Sequence, residues 1–288
     1  MKKIINLVIF TVAVSALLSI AMLTKKYQIG GFRLSKVLKV KNNNSFPEFS
    51  NNKKLEKILL GSFSYLGRGT QFYAFVSQDN DYVIKILRSD RIKVPLYKKF
   101  SALNASSLNS KNKKRKEKFL AACGSAYNYF RSQTGLLYLH LKSTANLPKV
   151  DLVDNFGFHR KVDLNDFCFL VQKKAILIKD SFRITKKQNN FEGAKKKIDS
   201  FFKLLVNRSK NGVSNSDPNL FYNFGFIEDQ AIEIDFGDYY DNPHLLNNHS
   251  TYVSEIDKHA LVLRDWLINF WPETIVYFDE KYNQALQK

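Results

Sequence analysis

The sequence predicts an α+β fold, with strands and helices segregated rather than alternating, behind one N-terminal apolar helix. Three observations predict it. Ile4 to Leu23 carries no charge over 20 residues. Short β-prone runs punctuated by turn residues lie between 58 and 171. Apolar residues recur at helical spacing over 112–131, over 191–208 and again after 251.

The apolar stretch is long enough to cross a bilayer core of about 30 Å as a helix. Lys2 and Lys3 precede it, and small residues around Ala16 and Ala21 offer sites where a secretory signal could be cut. Its length favours an uncleaved signal anchor over the shorter apolar region of an export signal. Lys25, Lys26, Arg33, Lys36, Lys39 and Lys41 follow without an acidic residue. The positive-inside rule then predicts a single-pass protein with its domain on the cytoplasmic side, the alternative being export after cleavage. Four regions are expected: residues 1–24 as anchor or signal, 25–54 as a basic and polar linker, 55–175 as a strand-rich lobe and 176–288 as a helical lobe.

Charge is divided along the chain. Residues 1–150 hold 27 basic and 6 acidic side chains, whereas residues 151–288 hold 18 and 20, so the net charge of +19 resides in the first half. An apolar content of 44% excludes wholesale disorder. Cys123 and Cys168 are too few for a disulfide framework and match no zinc spacing, so both are expected as buried thiols. The basic segments at 98–118 and 195–197 lack an RNA-binding motif, which disfavours nucleic acid as a partner. Anionic lipid head groups beside the anchor fit the lysines of 25–41 and 111–118 better.

The first lobe opens with three strands. Ile58–Leu66 is β-prone, Gly67-Arg68-Gly69-Thr70 is a turn, Gln71–Val76 is a second strand, and Tyr82–Leu87 follows a polar connection. Lys85 stands inside the third strand, where an ammonium group needs an anionic partner. This order of strand, glycine turn, strand and strand-borne lysine resembles the N-terminal lobe of protein-kinase-like enzymes. The resemblance implies that Gly67 and Gly69 let the backbone approach the phosphates of ATP and that Lys85 contacts them. Phe72 stands at the family's third glycine and Ala74 at its valine.

The resemblance continues near the C-terminus. Ala231–Ile234 is a short strand running into Asp235-Phe236-Gly237, like the metal-binding tripeptide of kinases. Upstream, Asp217 precedes Asn223, a turn region follows over 225–230, and Asp235 closes the series. By the same resemblance Asp217 is the catalytic base, and Asn223 and Asp235 bind Mg²⁺. Asn215-Ser216 replaces the family's His-Arg, and the Asp217–Asn223 interval is one residue longer than the family's. Asn215 and Asn219 are alternative occupants of these positions. A helix over 112–131 would carry the acid that holds Lys85, and Glu117 is the sole acidic residue between Asp90 and Asp151. Gln172-Lys173-Lys174 would be the hinge at adenine.

The implied fold is therefore two-lobed and protein-kinase-like, with a five-stranded antiparallel sheet plus a helix, then a small and mainly helical second lobe. The 51 residues after Gly237 contain no Ala-Pro-Glu and leave little room for a protein-substrate platform. The expected function is an atypical phosphotransferase using ATP and Mg²⁺ on an unidentified acceptor. The alternative is a pseudokinase serving as a membrane-tethered binding module.

Overall fold

The computed structural model describes residues 2–40, 53–89 and 105–287. Most of the linker expected over 42–54, and residues 98–104 of the basic segment, lie outside them. The chain is mixed α+β and divides into two compact units, Met1–Arg91 with His140–Leu170, and Ile92–Leu139 with Val171–Lys288.

In the first unit, helix α1 spans Lys2–Ile29. It is long and apolar enough to cross a membrane, and none of its apolar window is buried among the described residues. Gly30 and Gly31 end it, both at positive φ. Gly30 is required for a second reason. A Cβ there would lie 2.1 Å from the Tyr65 hydroxyl. The chain after the helix is built into the unit, with Phe32, Val37 and Leu38 buried. Its backbone joins the sheet region through Leu38 N to the Leu87 carbonyl and Cys168 N to the Leu38 carbonyl, both 2.8 Å.

A second helix, α2, covers Lys53–Leu59, where Leu55 and Leu59 share one buried face. Strand β1 therefore begins at Ser62, later than the apolar run from Ile58 suggested. A short apolar run has no period of its own to distinguish helix from strand. Strands β2 (Phe72–Ser77) and β3 (Tyr82–Leu87) follow as antiparallel neighbours.

The sheet has seven strands rather than five. Its further members are β4 (Leu136–His140), β5 (Val150–Val153), β6 (His159–Val162) and β7 (Phe169–Lys173), in the order β4-β7-β3-β2-β1-β5-β6. It is also not wholly antiparallel, because β1 and β5 run parallel. The unexpected β6 is an edge strand with three exposed polar residues, His159, Arg160 and Lys161, so it carries no apolar alternation to read. His140 is a core histidine. It is 1% exposed, stacks on Phe169 and hydrogen-bonds the Phe167 carbonyl through Nδ1. Burial lowers its pKa. Cys123 and Cys168 are free buried thiols.

The second unit contains α3 (Ala105–Tyr129), α4 (Arg131–Thr134), β8 (Ile176–Leu177), α5 (Ile178–Lys187), α6 (Phe191–Lys210), β9 (Val213–Asn215), α7 (Leu220–Asn223), β10 (Phe224–Ile227), β11 (Gln230–Glu233), β12 (Tyr239–Asp241), α8 (His244–Asn247), α9 (His249–Phe270) and α10 (Ile275–Leu286). Helix α6 presents Ala194, Ile198, Phe201 and Leu205 to a core that also takes Phe182, Tyr252, Ile256, Leu263 and Phe278. Asn190 caps α6 by accepting from Gly193 N, and Asn248 caps α9 by accepting from Thr251 N. Two small sheets, β11-β10-β8 and β12-β9, cross this core.

Replacing Gly30 by Ala forces a positive φ on a residue with a side chain and drives its Cβ into Tyr65. We expect a loss of about 1–3 kcal/mol of stability, read by thermal or urea unfolding of the full chain.

Candidate functional site

The glycine turn is an ordered hairpin bend. Strand β1 bulges between Tyr65 and Gly67, so that Gly67 faces Ala74 and Arg68 faces Tyr73. Gly69 N donates to the Phe72 carbonyl (3.0 Å), closing the turn. The buried Arg88, at the end of β3, donates Nη1 to the Gly69 carbonyl at 2.6 Å and lies over the Tyr73 ring. Neither Gly67 nor Gly69 has positive φ, and among the described residues a Cβ at either would meet no atom within 4 Å. The fold therefore imposes no need for glycine at these two positions. Lys85 pairs with Ala74 across β2–β3 and is half-buried. Its ammonium lies 5.7 Å from the centroid of Phe72, the residue at the third position of the glycine pattern.

Asp217, Asn223 and Asp235 belong to the second unit, where hairpin register brings them together. Strands β10 and β11 pair Phe224 with Glu233. The next bond runs from Ile234 N to the Asn223 carbonyl at 2.6 Å, so Asn223 and Asp235 flank the open end of one hairpin. Gly225 allows this hairpin to lie against β8, because a Cβ there would meet the Ile176 carbonyl oxygen at 2.5 Å. The loop bearing Asp217 is tied to the same end. Strand β9 pairs with β12, and Ser216 N donates to the Asp238 carbonyl.

Asn215 joins the two pieces. Its Nδ2 donates to the Asp235 carbonyl (3.2 Å) and to Glu233 Oε1 (2.8 Å), while its Oδ1 accepts from Asp217 N (3.0 Å). Asp217 Oδ1 in turn accepts from Asn219 N (2.9 Å), and Asp235 Oδ1 accepts from Gly237 N (3.2 Å). Asn215, at the position of the family's histidine, is thus a fully buried connector, and Asn219 is an exposed turn residue. Asp217 and Asp235 are both half-buried.

Beneath Asn215 lies a buried ionic network that sequence reading did not identify. Arg208 on α6 is 1% exposed. It donates Nη1 to Glu233 Oε1 and Nη2 to Glu255 Oε1, the latter at 2.7 Å. Tyr239 OH donates to Glu233 Oε2 (2.7 Å), and Glu255 Oε1 accepts from Asn215 N (3.2 Å). Lys258 donates to Glu255 Oε2 (2.6 Å) and to the Asn215 carbonyl (2.7 Å). Two cations face two carboxylates. Burial works against the Arg208 charge, but Glu233, then Tyr239 and Glu255, raise its pKa beyond the ordinary arginine value. A signal existed in the sequence: Arg208 continues the series Ala194, Ile198, Phe201, Leu205 on the apolar face of α6.

Asp238 reports the electrostatics at the open end. Burial raises its pKa, as do the neighbouring charges of Asp235 and Asp217, with Lys118 opposing. Asn223 is 5% exposed, and its Nδ2 is buried without a hydrogen-bond partner. The two ends of a carboxamide have the same shape, so the reversed amide would present an acceptor oxygen instead. Among the described residues no three His, Cys, Asp or Glu side chains cluster closely enough to cage a metal alone. A hard cation that keeps waters and takes substrate phosphates needs only one or two protein oxygens, so this donor set fits Mg²⁺.

Glu117 is exposed on α3, in the second unit, and Lys85 lies in the first. The neighbouring Lys118 sits over the Tyr240 ring at 5.2 Å. Gln172, expected at a hinge, is buried, with Nε2 donating to the Thr134 carbonyl at 2.8 Å.

No family model matches the chain, and no curated protein does. Solved structures of WbdD are similar to it. A co-crystal structure of WbdD with a kinase inhibitor shares 15% identity at a TM-score of 0.37, over 76% of this chain and 45% of that one. A second crystal structure of WbdD gives 16% and 0.36 over the same shares. A third, described as the bifunctional kinase-methyltransferase WbdD, gives 16% and 0.34 over 74% and 43%. The chain spans less than half the length of these proteins.

Removing Arg208 leaves Glu233 in the core without its cation and Glu255 with Lys258 alone. Arg208→Met should cost about 3–5 kcal/mol in urea unfolding. The network also leaves a pH signature. His259, fully buried beside Phe224, is driven down to about 2 by burial and by the charges of Arg208 and Lys258, with the Pro218 carbonyl opposing. The native state therefore keeps this ring neutral where the unfolded chain protonates it. Stability should fall as pH drops below the ordinary histidine value of about 6.5, with a slope approaching ~1.4 kcal/mol per pH unit from this group. His259→Gln should flatten that part of the stability–pH curve.

Proposed function

We propose that this chain is a membrane-anchored, atypical phosphotransferase of the protein-kinase-like type, with its domain on the cytoplasmic side. The observation that carries the proposal is the joint placement of Asp217, Asn223 and Asp235 at one end of the second unit through the β10–β11 register and the Asn215 bridge. The burial of Asp238 beside Asp235 and Asp217, and the acceptor oxygen that a reversed Asn223 amide would present, support a cation there.

ATP and Mg²⁺ would supply the transferable phosphoryl group and the neutralising charge. Asn223 and Asp235 would hold the metal as hard oxygen donors. Asp217, fixed by Asn215 and its own turn, would orient the acceptor hydroxyl and take its proton. Lys85 would offer its ammonium to phosphate oxygens, and the bare backbone at Gly67 and Gly69 would permit close approach to them. The open space around both glycines among the described residues supports that role. Catalysis of this kind is positioning plus charge stabilisation, which suits a site braced by a buried network. The acceptor would be of a non-standard class.

Full-length protein should gain thermal stability from ATP only when Mg²⁺ is present, and Asp235→Ala should abolish the gain. Asp217→Ala should keep it and lose ATP turnover by roughly a hundredfold or more. Gly67→Ala with Gly69→Ala should leave the apo melting temperature unchanged and weaken the nucleotide shift. Retained Mg·ATP binding with no turnover in the unaltered protein would favour the pseudokinase reading. An absent Mg·ATP shift would overturn both.

A further inference from the structure

The β5–β6 connection carries two exposed aromatic rings beside the end of the apolar helix. Phe156 and Phe158 are 48% and 63% exposed. Phe156 lies 5.7 Å, ring to ring, from Tyr27 on the last turns of α1. The hairpin is fastened to that helix. Asn155 N donates to the Gln28 carbonyl (2.9 Å), Asn155 Nδ2 to the Tyr27 carbonyl (2.7 Å), and Gln28 Nε2 to Asp154 Oδ2 (2.5 Å). At the other side of the helix end, Arg68 Nη1 donates to the Gly30 carbonyl at 2.9 Å. The helix and the hairpin therefore move as one piece, and both belong to the first unit.

The depth of this aromatic cluster follows from the sequence. Leu23 is the last apolar residue before Thr24 and the lysines, and Tyr27 is four residues beyond it. At 1.5 Å per residue, Tyr27 stands about 6 Å past the hydrocarbon edge, within the head-group layer. Aromatic rings partition to that depth. The hairpin tip is also prepared for a poorly hydrated layer. Asp154 Oδ1 accepts from Phe156 N (2.9 Å) and Phe158 N (3.1 Å), and the Asp154 carbonyl accepts from Gly157 N (2.9 Å). Three consecutive amides are satisfied within the turn, which lowers the cost of leaving water. Asp154 itself is buried and also faces Arg160. In the two segments so joined, the exposed charges are Lys25, Lys26, Arg33, Lys39, Arg160 and Lys161, and neither 24–40 nor 155–161 contains an acidic residue.

We infer that the Phe156–Phe158 hairpin inserts its rings into the interface of an anionic bilayer next to α1, fixing the orientation of the first unit on the membrane. The inference rests on α1 being inserted, and the test separates the two. The full chain is reconstituted in phosphatidylcholine–phosphatidylglycerol vesicles containing lipid with a head-group nitroxide. Single labels of an environment-sensitive fluorophore are placed through Phe158→Cys, through Gln78→Cys in the exposed β2–β3 turn, and through Leu17→Cys with the nitroxide moved to the acyl chain. The native thiols are buried and should remain unlabelled.

The emission at 158 should shift to the blue and lose most of its intensity to the nitroxide, while 78 does neither. Phe156→Glu in the 158-labelled chain should restore the lost intensity without lowering the melting temperature. A label at 158 quenched no more than that at 78 would overturn the docking while Leu17 quenching upheld the anchor. A blue shift without quenching would mean that protein covers the hairpin, which also overturns it. Absence of quenching at 17 would remove the anchor and the docking together.

Discussion

The guanidinium of Arg208 is the constraint on which the second unit depends. It is buried with two carboxylates from different elements, Glu233 on β11 and Glu255 on α9. A buried charge of this kind is tolerable only while every partner is present. The partners therefore have to stay in register, and that register is what holds β9, β11, β12 and α9 around Asn215. Such an arrangement adds little net stability compared with a well-packed apolar core, but breaking one member is expensive. Its value lies in specifying a single arrangement of the loop ends above it, where Asp217 and Asp235 are held by bonds from Asn215 and from their own turns.

Asn215 engages its side-chain amide and both of its backbone groups, whereas the buried Arg208 Nε and both ring nitrogens of His259 have no hydrogen-bond partner among the described residues. One step outward, the Asn223 amide nitrogen also has no partner among the described residues, and burial, with the charges of Asp235 and Asp217 added, raises the pKa of Asp238. The first unit shows a related pattern. Arg88 braces the hairpin bend from behind through the Gly69 carbonyl, while the space in front of Gly67 and Gly69 is open.

A different coupling governs the N-terminal region. Residues 25–40 resemble a basic tether by composition, yet Gly30 and Gly31 turn the chain sharply from α1 onto β1 and β2, and Phe32 packs against Tyr73 and Phe75. The helix is thereby attached to the first unit by packing, backbone bonds and the Asp154 turn. If the helix spans a membrane, a joint of this kind transmits orientation as well as proximity, which a flexible linker cannot do.

Patterns local in sequence determined much of this protein. The uncharged span, the three strands around the glycine turn, the Asp235-Phe236-Gly237 strand end and the helices at 191–210 and 249–270 were legible because period and turn chemistry act over a few residues. The edge strand β6 was hidden because polar residues on a solvated face leave no alternation, and the parallel β1–β5 pairing because register between distant segments is invisible to local pattern. Only the tertiary structure decided that Asn215 is the connector and that Arg208, Glu233 and Glu255 form one network. These residues lie 7 to 47 positions apart, and their identities acquire meaning only when burial removes water and leaves each charge dependent on the others.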